Sequence, residues 1–350
     1  MIIEGMMRTK VMTIAATISA VFACNTTMAT ENVWDSFLAL SSEYPERFAG
    51  SEGELRAANW LKAKYKALGY SVNVQNFDFD FKGQSLKSNN LEVVVKGQTD
   101  KTIIIGAHYD AIGHQNGSKG FTDNASGTTT LLGLAKNLKD KKPYYTIKIV
   151  SFGAEEIGKV GSNFYVNALG DVKESIVGMI NLDTVVGGDS LYIHSAHSNA
   201  YPCKNIKDVN YSKDTWVRDA LLEESGKLPT TYALHPETKG YPEGETGGWS
   251  DHAPFACAGI PIAHIEATNF LIDGESGTDG YSQTKHEKYW TCFEESKMGA
   301  CNRKKEQHWG KIWHTQFDTK EAVFPELESR IKSQFHSNIT LLTNFVLNKS

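Results

Sequence analysis

Residues able to bind a metal ion follow a short apolar segment in the first half of the chain. The segment 103–105 is β-branched and is closed by Gly106, a pattern typical of a buried strand, and His108 and Asp110 come directly after it. Asp123 follows in a loop rich in glycine, asparagine and serine, just before a segment that favours a helix. An imidazole and carboxylates on rigid elements suit a metal ion. The sequence therefore predicts a metal site whose other ligands come later in the chain.

Acidic residues also follow two later strand-like segments. Segment 146–152 leads into Glu155 and Glu156, and segment 176–182 leads into Asp183. Because adjacent residues leaving an extended segment point in opposite directions, one glutamate could bind metal while the other accepts a proton.

A second imidazole lies nearer the end of the sequence, where His314 follows Trp313 and precedes Asp318. A central Asp123 could then bridge two ions, which lie about 3.5–4 Å apart in two-metal hydrolytic sites. The sequence thus offers ligands for a dinuclear centre.

Helical and strand-like segments alternate along the chain. Helices are predicted over 31–41, 51–68, 127–140, 161–168 and 320–347, and strands over 71–81, 91–95, 103–105, 146–152, 176–182 and 260–265. This alternation predicts an open α/β sheet covered on both faces, with ligands gathered at the carboxyl ends of its strands. The candidate metal-binding residues lie where that rule places them.

The composition is that of an ordinary globular protein. The 350 residues are 40% hydrophobic and 22% charged, enough for one large domain or two small ones. The formal net charge of -5 leaves no basic footprint for nucleic acid, so we expect no such partner. Neither Gly-x-Ser-x-Gly nor His-Glu-x-x-His occurs, which argues against a serine-hydrolase elbow and a helical zinc motif.

Residues 1–29 are predicted to be a secretory signal peptide and residues 30–350 a single domain. Arg8 and Lys10 precede an apolar stretch, 11–23, that is too short to span a bilayer, and residues 27–29 form an acceptable cleavage site. A membrane anchor, an amphipathic terminus and lipid attachment at Cys24 are the alternatives. We expect a periplasmic or secreted protein.

An oxidising compartment would allow the four remaining cysteines to form disulfides. Four cysteines allow three pairings, and the short spacing favours a bond between Cys292 and Cys301. None of the four has the Cys-x-x-Cys spacing of a zinc ribbon. The four are Cys203, Cys257, Cys292 and Cys301.

Six short motifs follow one another along the chain: His108-x-Asp110, Thr122-Asp123-Asn124-Ala125-Ser126-Gly127, Gly153-Ala154-Glu155-Glu156, Asn181-Leu182-Asp183, Ser250-Asp251-His252 and His314-Thr315-x-x-Asp318-Thr319. In content and order they resemble the M28 family of zinc aminopeptidases over nearly all of the chain after residue 29. Segments 180–192 and 265–269 are similar to a bacterial branch of that family. A single motif would be weak, but six in register are specific.

The resemblance implies a zinc-exopeptidase fold, with a mixed, mainly parallel sheet between helices, and two zinc ions per chain. His108, Asp123 and Asp183 would hold one ion. Asp123, Glu156 and His314 would hold the other.

The resemblance also implies roles for three further carboxylates. Glu155 would be the general base that takes a proton from a water whose pKa the two ions lower, as that water attacks the first peptide bond. Asp110 and Asp318 would lie behind the ligands, with Asp110 orienting the ring of His108. The implied substrates are peptides or proteins with a free N-terminus. A basic N-terminal residue could meet Glu243 and Glu245, although charges in such a loop are usually just solvated.

The chain departs from the family pattern around the substrate. Relatives often place a tyrosine near the scissile carbonyl oxygen, either before the last histidine or before the Ser-Asp-His motif, whereas here Trp313 precedes His314 and residues 246–249 contain no tyrosine. Tyr241 and Trp313 are the predicted substrate-binding residues, and Tyr241 is the candidate for the carbonyl oxygen. The polar segment 273–310 has no clear periodicity and is predicted to form a lid.

Two other functional classes remain open. A glutaminyl cyclase-like acyltransferase has the same fold with one zinc ion, but a ligand role for His108 argues against it. A non-catalytic binding module of this fold should have lost ligands, and none is missing here.

Ser250-Asp251-His252 superficially suggests a catalytic triad, but residues adjacent in sequence rarely form one. We interpret the histidines outside the proposed ligand set as surface or structural residues: His114, His194, His197, His235, His252, His264, His286, His308 and His336.

Overall fold

A mixed sheet of nine strands organises the residues that the computed structural model describes, which are 32–113, 116–275 and 277–348. The signal peptide predicted for residues 1–29 lies outside the described residues. The strands of the sheet are β1 (Asn73–Phe81), β2 (Gln84–Val95), β3 (Thr102–His108), β4 (Thr146–Phe152), β5 (Ile176–Leu182), β6 (Ser190–Ala196), β7 (Tyr232–Ala233), β8 (Glu245–Thr246) and β9 (Ile262–Thr268).

Seven α-helices accompany the sheet in the described part of the chain. They are α1 (Val33–Glu43), α2 (Glu52–Ala67), α3 (Gly127–Leu138), α4 (Val160–Asn167), α5 (Trp216–Ser225), α6 (His252–Cys257) and α7 (Lys320–Asn348). None of these helices combines the length and hydropathy needed to cross a bilayer.

The strands are arranged in the order β1-β2-β4-β3-β5-β9-β6-β7, with β8 paired to β6. The central strands β4, β3, β5 and β9 are parallel. Strand β2 is antiparallel to both β1 and β4, and β6 is antiparallel to β9 but parallel to β7 and β8. This is the mixed, mainly parallel sheet implied by the family resemblance, and the prediction is confirmed. The carboxyl ends of the four parallel strands therefore share one edge.

The two faces of the sheet carry different hydrophobic cores, because successive side chains of a strand point to opposite sides. Ile103 and Ile105 of β3 belong to a core that includes residues of α1, α2, α3, α5 and α7. Ile104 belongs to a second core, with residues of α4 and α6. Burial on both faces explains why β3 reads as a continuous apolar run.

Helix α7 closes one face and also supports the loop after β5. The side chain of Gln334 accepts a hydrogen bond from the backbone N–H of Gly187 and donates one to the carbonyl of Gly188, both at 2.8 Å. Asn338 donates to the carbonyl of Val185 at 2.9 Å. The last helix therefore fixes a loop that begins next to Asp183.

Several predicted elements are confirmed, and others need correction. Strands 146–152 and 176–182 have the predicted bounds. The strand predicted over 260–265 lies instead at Ile262–Thr268, and β2 begins at Gln84 rather than at residue 91. The region between β5 and β9 also contains β6, α5, β7, β8 and α6, which were not predicted. The sequence pattern of these strands is weak, because β7 and β8 have only two residues each and the buried strand β6 carries polar side chains.

The predicted disulfide between Cys292 and Cys301 is confirmed, and Cys203 is bonded to Cys257. The Cys292–Cys301 bond closes the base of a small hairpin formed by β10 (Phe293–Glu294) and β11 (Gly299–Ala300). This hairpin lies within the segment predicted to be a lid. A separate apolar cluster, which includes Ile272 and Trp290, supports this hairpin.

Candidate active site

Three neighbouring parallel strands end at the candidate site. His108 is the last residue of β3, Asp183 directly follows β5, and the turn 153–156 directly follows β4. Asp123 lies at a kink in the segment Phe121–Ser126, where its backbone is not helical, and this segment leads into α3. His314 reaches the same place from the loop before α7.

The structure brings the five predicted ligands together in two groups that share Asp123. In the first group, Nε2 of His108 lies 3.2 Å from Oδ1 of Asp123 and 3.4 Å from Oδ1 of Asp183. In the second, Nε2 of His314 lies 3.1 Å from Oδ2 of Asp123 and 2.9 Å from Oε2 of Glu156. Each oxygen of Asp123 therefore faces a different imidazole.

The donor atoms of both groups fit a divalent metal better than they fit hydrogen bonds alone. A single N–H on Nε2 of His108 cannot point at two carboxylates at once, yet both lie within 3.4 Å. Bonds of about 2.0 Å to a tetrahedral zinc ion would place neighbouring donor atoms roughly 3.3 Å apart, close to the spacing observed. Oε1 of Glu156 is also buried without a hydrogen-bond partner among the described residues.

The proton affinities of these side chains reflect the crowded charges. Burial opposes protonation of His108, but Asp183, Asp110 and Asp123 together raise its pKa well above the ordinary value. Burial likewise opposes protonation of His314, whose pKa is raised to about 10 by Asp123 and Glu156. The excess of carboxylates favours a bound cation at this position.

Glu155 lies in the same acidic cluster and is 8% exposed. Burial raises its pKa well above the ordinary value; His108 opposes this shift, and the charges of Asp251 and Glu156 add to it. A carboxylate with a raised pKa is a stronger base, which suits a group that must accept a proton.

The two carboxylates predicted to lie behind the ligands hold backbone as well as side chains. Oδ1 of Asp110 lies 3.5 Å from Nδ1 of His108, and the two oxygens of Asp110 accept hydrogen bonds from the backbone N–H groups of Glu155 and Glu156 at 3.0 and 3.1 Å. Asp318 accepts hydrogen bonds from the backbone and hydroxyl of Thr122 at 2.6 and 2.7 Å. It therefore anchors the residue before Asp123.

Trp313 lies beside the metal-binding groups, with its ring centroid 4.6 Å from that of His314. The ammonium group of Lys311 lies 3.6 Å from the centroid of Trp313, and the ring of Tyr281 is 5.5 Å from it. Gln283 accepts a hydrogen bond from the backbone N–H of Trp313 at 2.9 Å. The segment 273–310 thus contacts the loop that carries His314.

Tyr241 and Glu243 lie between β7 and β8, and Glu245 is the first residue of β8. The ring of Tyr241 packs 5.3 Å from His197 and 5.6 Å from Trp249, neither of which belongs to the metal-binding groups. Glu245 accepts a hydrogen bond from the backbone of Ser198 at 2.6 Å, whereas Glu243 is exposed. A contact of Tyr241 with substrate stays a prediction.

Three residues that support the site were not predicted from sequence. The hydroxyl of Ser250 donates to Oδ2 of Asp183 at 2.7 Å. Arg47 is fully buried and donates to the carbonyls of Tyr109, Lys119, Gly120 and Tyr44. Glu54 accepts a hydrogen bond from the backbone of Ala154 at 3.0 Å. Ser250 belongs to one of the six family motifs and Ser51-x-x-Glu54 has the form of a capping box, whereas Arg47 had no local signal.

Ser250, Asp251 and His252 do not form a catalytic triad. Nε2 of His252 donates to the carbonyl of Gly247 at 2.8 Å, and its ring packs against that of His264 at 4.7 Å. Nδ1 of His252 is buried and has no hydrogen-bond partner among the described residues. The interpretation of His252 as a structural histidine agrees with these contacts.

The remaining histidines of the described chain make contacts of their own, whereas His114 lies outside the described residues. Their neighbours are Glu266 for His194, Gly240 for His197, Pro236 and Glu245 for His235, Asn181 for His264, Glu326 for His286, Phe317 for His308 and Trp34 for His336.

His252 should make the fold sensitive to acid. Burial lowers its pKa to about 3, with added repulsion from Lys159 and His194. The unfolded chain binds a proton near the ordinary pKa of about 6.5, so stability present above that pH is lost as the pH falls towards 3. The slope is up to about 1.4 kcal/mol per pH unit.

His252→Gln keeps a donor for Gly247 and removes the titrating ring, so its unfolding free energy should fall less steeply between pH 6 and 4. Urea unfolding of both metal-free proteins across that range measures the difference. Parallel slopes for the two proteins would contradict this prediction.

Comparisons with known proteins agree with the geometry of the site. The model of peptidase family M28 matches residues 90–338. Over 266 residues the chain is 26% identical to the alkaline phosphatase isozyme conversion protein of Escherichia coli (strain K12), covering 70% of this chain and 73% of that protein. The chain spans about half the length of several other curated relatives.

Two solved structures share the fold. A zinc aminopeptidase from Bacillus subtilis superposes with a TM-score of 0.62 and 16% identity, covering 90% of this chain and 93% of the other. The glutaminyl cyclase of Porphyromonas gingivalis superposes with a TM-score of 0.59 and 19% identity, covering 89% of this chain and 96% of the other. At these identities the likeness concerns the fold alone.

Proposed function

Because the chain belongs to peptidase family M28 and is a metallo-aminopeptidase, we propose that it holds two zinc ions and releases single residues from the free N-termini of peptides or proteins. The observation that carries this proposal is the position of Asp123, whose two oxygens face the imidazoles of His108 and His314 at 3.2 and 3.1 Å. A carboxylate placed in this way is suited to bridge two ions.

Each ion would have its own protein ligands. His108 and Asp183 would complete one position, and Glu156 and His314 the other, with Asp123 common to both. Zinc bound there would polarise the substrate carbonyl and lower the pKa of a water molecule.

Glu155 would move the proton in this reaction. Its carboxylate would accept a proton from the attacking water and return it to the leaving amine. Asp110 accepts hydrogen bonds from the backbone N–H groups of Glu155 and Glu156. These bonds would fix the position of the base relative to the neighbouring ligand.

The surrounding charge would favour substrates with a free amine. Asp183, Glu155 and Glu156 lie within one acidic cluster, and an N-terminal ammonium would be attracted to it while an acetylated terminus would not. A preference for basic N-terminal residues is a further part of the proposal. Glu243 is the better candidate for meeting such a side chain, because Glu245 is already hydrogen-bonded to Ser198.

The proposal also covers the removal of residues 1–29, the location of the protein and the role of segment 273–310. Residues 1–29 would be removed on export to the periplasm or medium, leaving 30–350 as one peptidase domain. The disulfides Cys203–Cys257 and Cys292–Cys301 support an oxidising location. Segment 273–310 would act as a lid, and its contacts with Trp313 support that role.

A panel of aminoacyl-p-nitroanilides tests the proposal. We expect release of p-nitroaniline from leucyl, arginyl and lysyl substrates, no release from their N-acetylated forms, loss of activity with a chelator, and two zinc ions per chain by elemental analysis. Higher kcat/KM for arginyl and lysyl substrates would support the basic preference.

A glutaminyl cyclase is the second candidate, because one such enzyme shares the fold. The same protein should therefore be incubated with a peptide that begins with glutamine. Cyclisation with loss of ammonia, together with an inactive p-nitroanilide panel, would overturn the aminopeptidase proposal.

A further inference from the structure

The turn 153–156, which carries the proposed base, is held by side chains along its whole length. Four consecutive backbone N–H groups each donate to a buried side-chain oxygen. Gly153 donates to Asn90 at 3.2 Å and Ala154 to Glu54 at 3.0 Å, and Glu155 and Glu156 both donate to Asp110, at 3.0 and 3.1 Å.

This turn needs such support because its backbone is strained and tightly packed. Ala154 has a φ of 55°, in the left-handed region that residues with a Cβ rarely adopt. Gly153 has no room for a side chain, since a Cβ there would overlap the hydroxyl of Ser88 and the carbonyl of Asn89. A change at either residue would therefore move the turn and the glutamate that follows it.

Glu54 reaches the turn from the first turn of α2. The hydroxyl of Ser51 accepts a hydrogen bond from the backbone of Glu54 at 3.1 Å, as in a capping box. One oxygen of Glu54 accepts from the backbone of Gly50 at 2.6 Å, and the other accepts from Ser88 at 2.7 Å and from Ala154. The carboxylate thus links the helix start to a turn 100 residues away.

A helix cap alone does not account for these contacts. A capping glutamate needs only the backbone near its own helix start, whereas the second oxygen of Glu54 is directed away from α2 and into the sheet edge. Glu54 is 2% exposed, so solvent cannot replace the bond to Ala154. Residue 54 also precedes the region that the family model matches.

We propose that Glu54 is a positioning residue, which fixes the carboxylate of Glu155 by accepting the hydrogen bond from the backbone of Ala154. This inference rests on the function proposed above for Glu155. The hydrogen bonds of Glu54 come from Gly50, Ser88 and Ala154, none of which is a candidate metal ligand. It would therefore act through one backbone amide. Its loss should therefore affect the chemical step rather than substrate binding or metal content.

Kinetics of three variants test this role. Glu54→Ala should lower kcat 10- to 100-fold, since a displacement of about 1 Å in a catalytic group can cost 10²-fold, while KM changes less than twofold and zinc content stays at two ions per chain. Glu54→Gln should recover part of kcat, because its amide oxygen can still accept from Ala154 although its NH2 group cannot accept from Gly50. Ser88→Ala is the matched control, since it removes a hydrogen bond to the same carboxylate and leaves the one from Ala154 in place.

Glu54→Asp covers the case in which the alanine variant does not fold. It keeps the charge but is one methylene shorter, so it should keep the bond from Gly50 beside its own helix and lose the distant one from Ala154, and kcat should fall as in Glu54→Ala. A folded, zinc-loaded Glu54→Ala or Glu54→Asp protein with wild-type kcat would overturn the inference. An equal loss of kcat in Ser88→Ala would also overturn it, because kcat would then not depend on the hydrogen bond from Ala154.

The activity of the zinc-loaded wild-type protein distinguishes a failure of the proposed function from a failure of the inference about Glu54. An inactive, zinc-loaded wild type would refute the proposed function and this inference with it. An active wild type with unaffected Glu54 variants would refute only the inference.

Discussion

Glu155→Gln should lower kcat by about 10²–10⁴-fold, the usual contribution of a positioned general base, while the chain keeps its metal. Glutamine has nearly the same size as glutamate but cannot accept the proton of an attacking water. The two groups of metal-binding atoms include no atom of Glu155, so they should remain intact. The substitution also replaces a buried carboxylate in an acidic cluster with a neutral group, so the free energy of unfolding should not decrease.

Steady-state kinetics with the best p-nitroanilide and elemental analysis of the same sample measure this result. Glu174→Gln, at an exposed surface position, is the matched control and should behave as wild type. A Glu155→Gln protein that retains more than a tenth of wild-type kcat would show that another group accepts the proton. A protein that loses zinc would show that Glu155 is a ligand.

Asp123→Ala should give the opposite pattern, with loss of metal and activity together. Asp123 is the one residue that the two groups share, and each of its oxygens faces a different histidine. Its removal would leave each position with one imidazole and one carboxylate, fewer protein ligands than the three that catalytic zinc sites keep. We expect fewer than one zinc ion per chain and activity at background.

Dialysis against a zinc buffer followed by elemental analysis gives the metal content, and circular dichroism checks that the variant is folded. Asp171→Ala, at an exposed position, serves as the control. If Asp123→Ala retained two ions per chain, Asp123 could not be the bridge, and the dinuclear assignment would fail.

The proximity of the candidate ligands could be predicted from sequence because of where strands end. His108, Glu156 and Asp183 follow apolar runs that are easily recognised, and parallel strands present their carboxyl ends at a common edge. Asp123 and His314 lie on loops, and only their motifs indicated a role. Local pattern and family resemblance together were sufficient for these positions.

The supporting residues could not be predicted in the same way. Ser250 and Asp183 are 67 residues apart in sequence, and Glu54 and Ala154 are 100 apart, so each contact exists only once the sheet has formed. Among the described residues, Arg47 donates its hydrogen bonds to backbone carbonyls, and any residue type can supply a carbonyl. A candidate ligand can be recognised in a sequence by its residue type. The backbone atom to which a buried side chain will bond cannot be recognised in this way.

Helix α7 has a consequence for the time at which the enzyme becomes active in the cell. Gln334 and Asn338 hold the loop that begins next to Asp183, yet the ribosome makes these two residues well after Asp183. At a synthesis rate of about 5–20 residues per second, roughly ten seconds or more separate Asp183 from the end of α7. A nascent chain therefore carries most of the candidate catalytic side chains before the residues that hold this loop have been made, and we expect the site to assemble only after α7 has been synthesised.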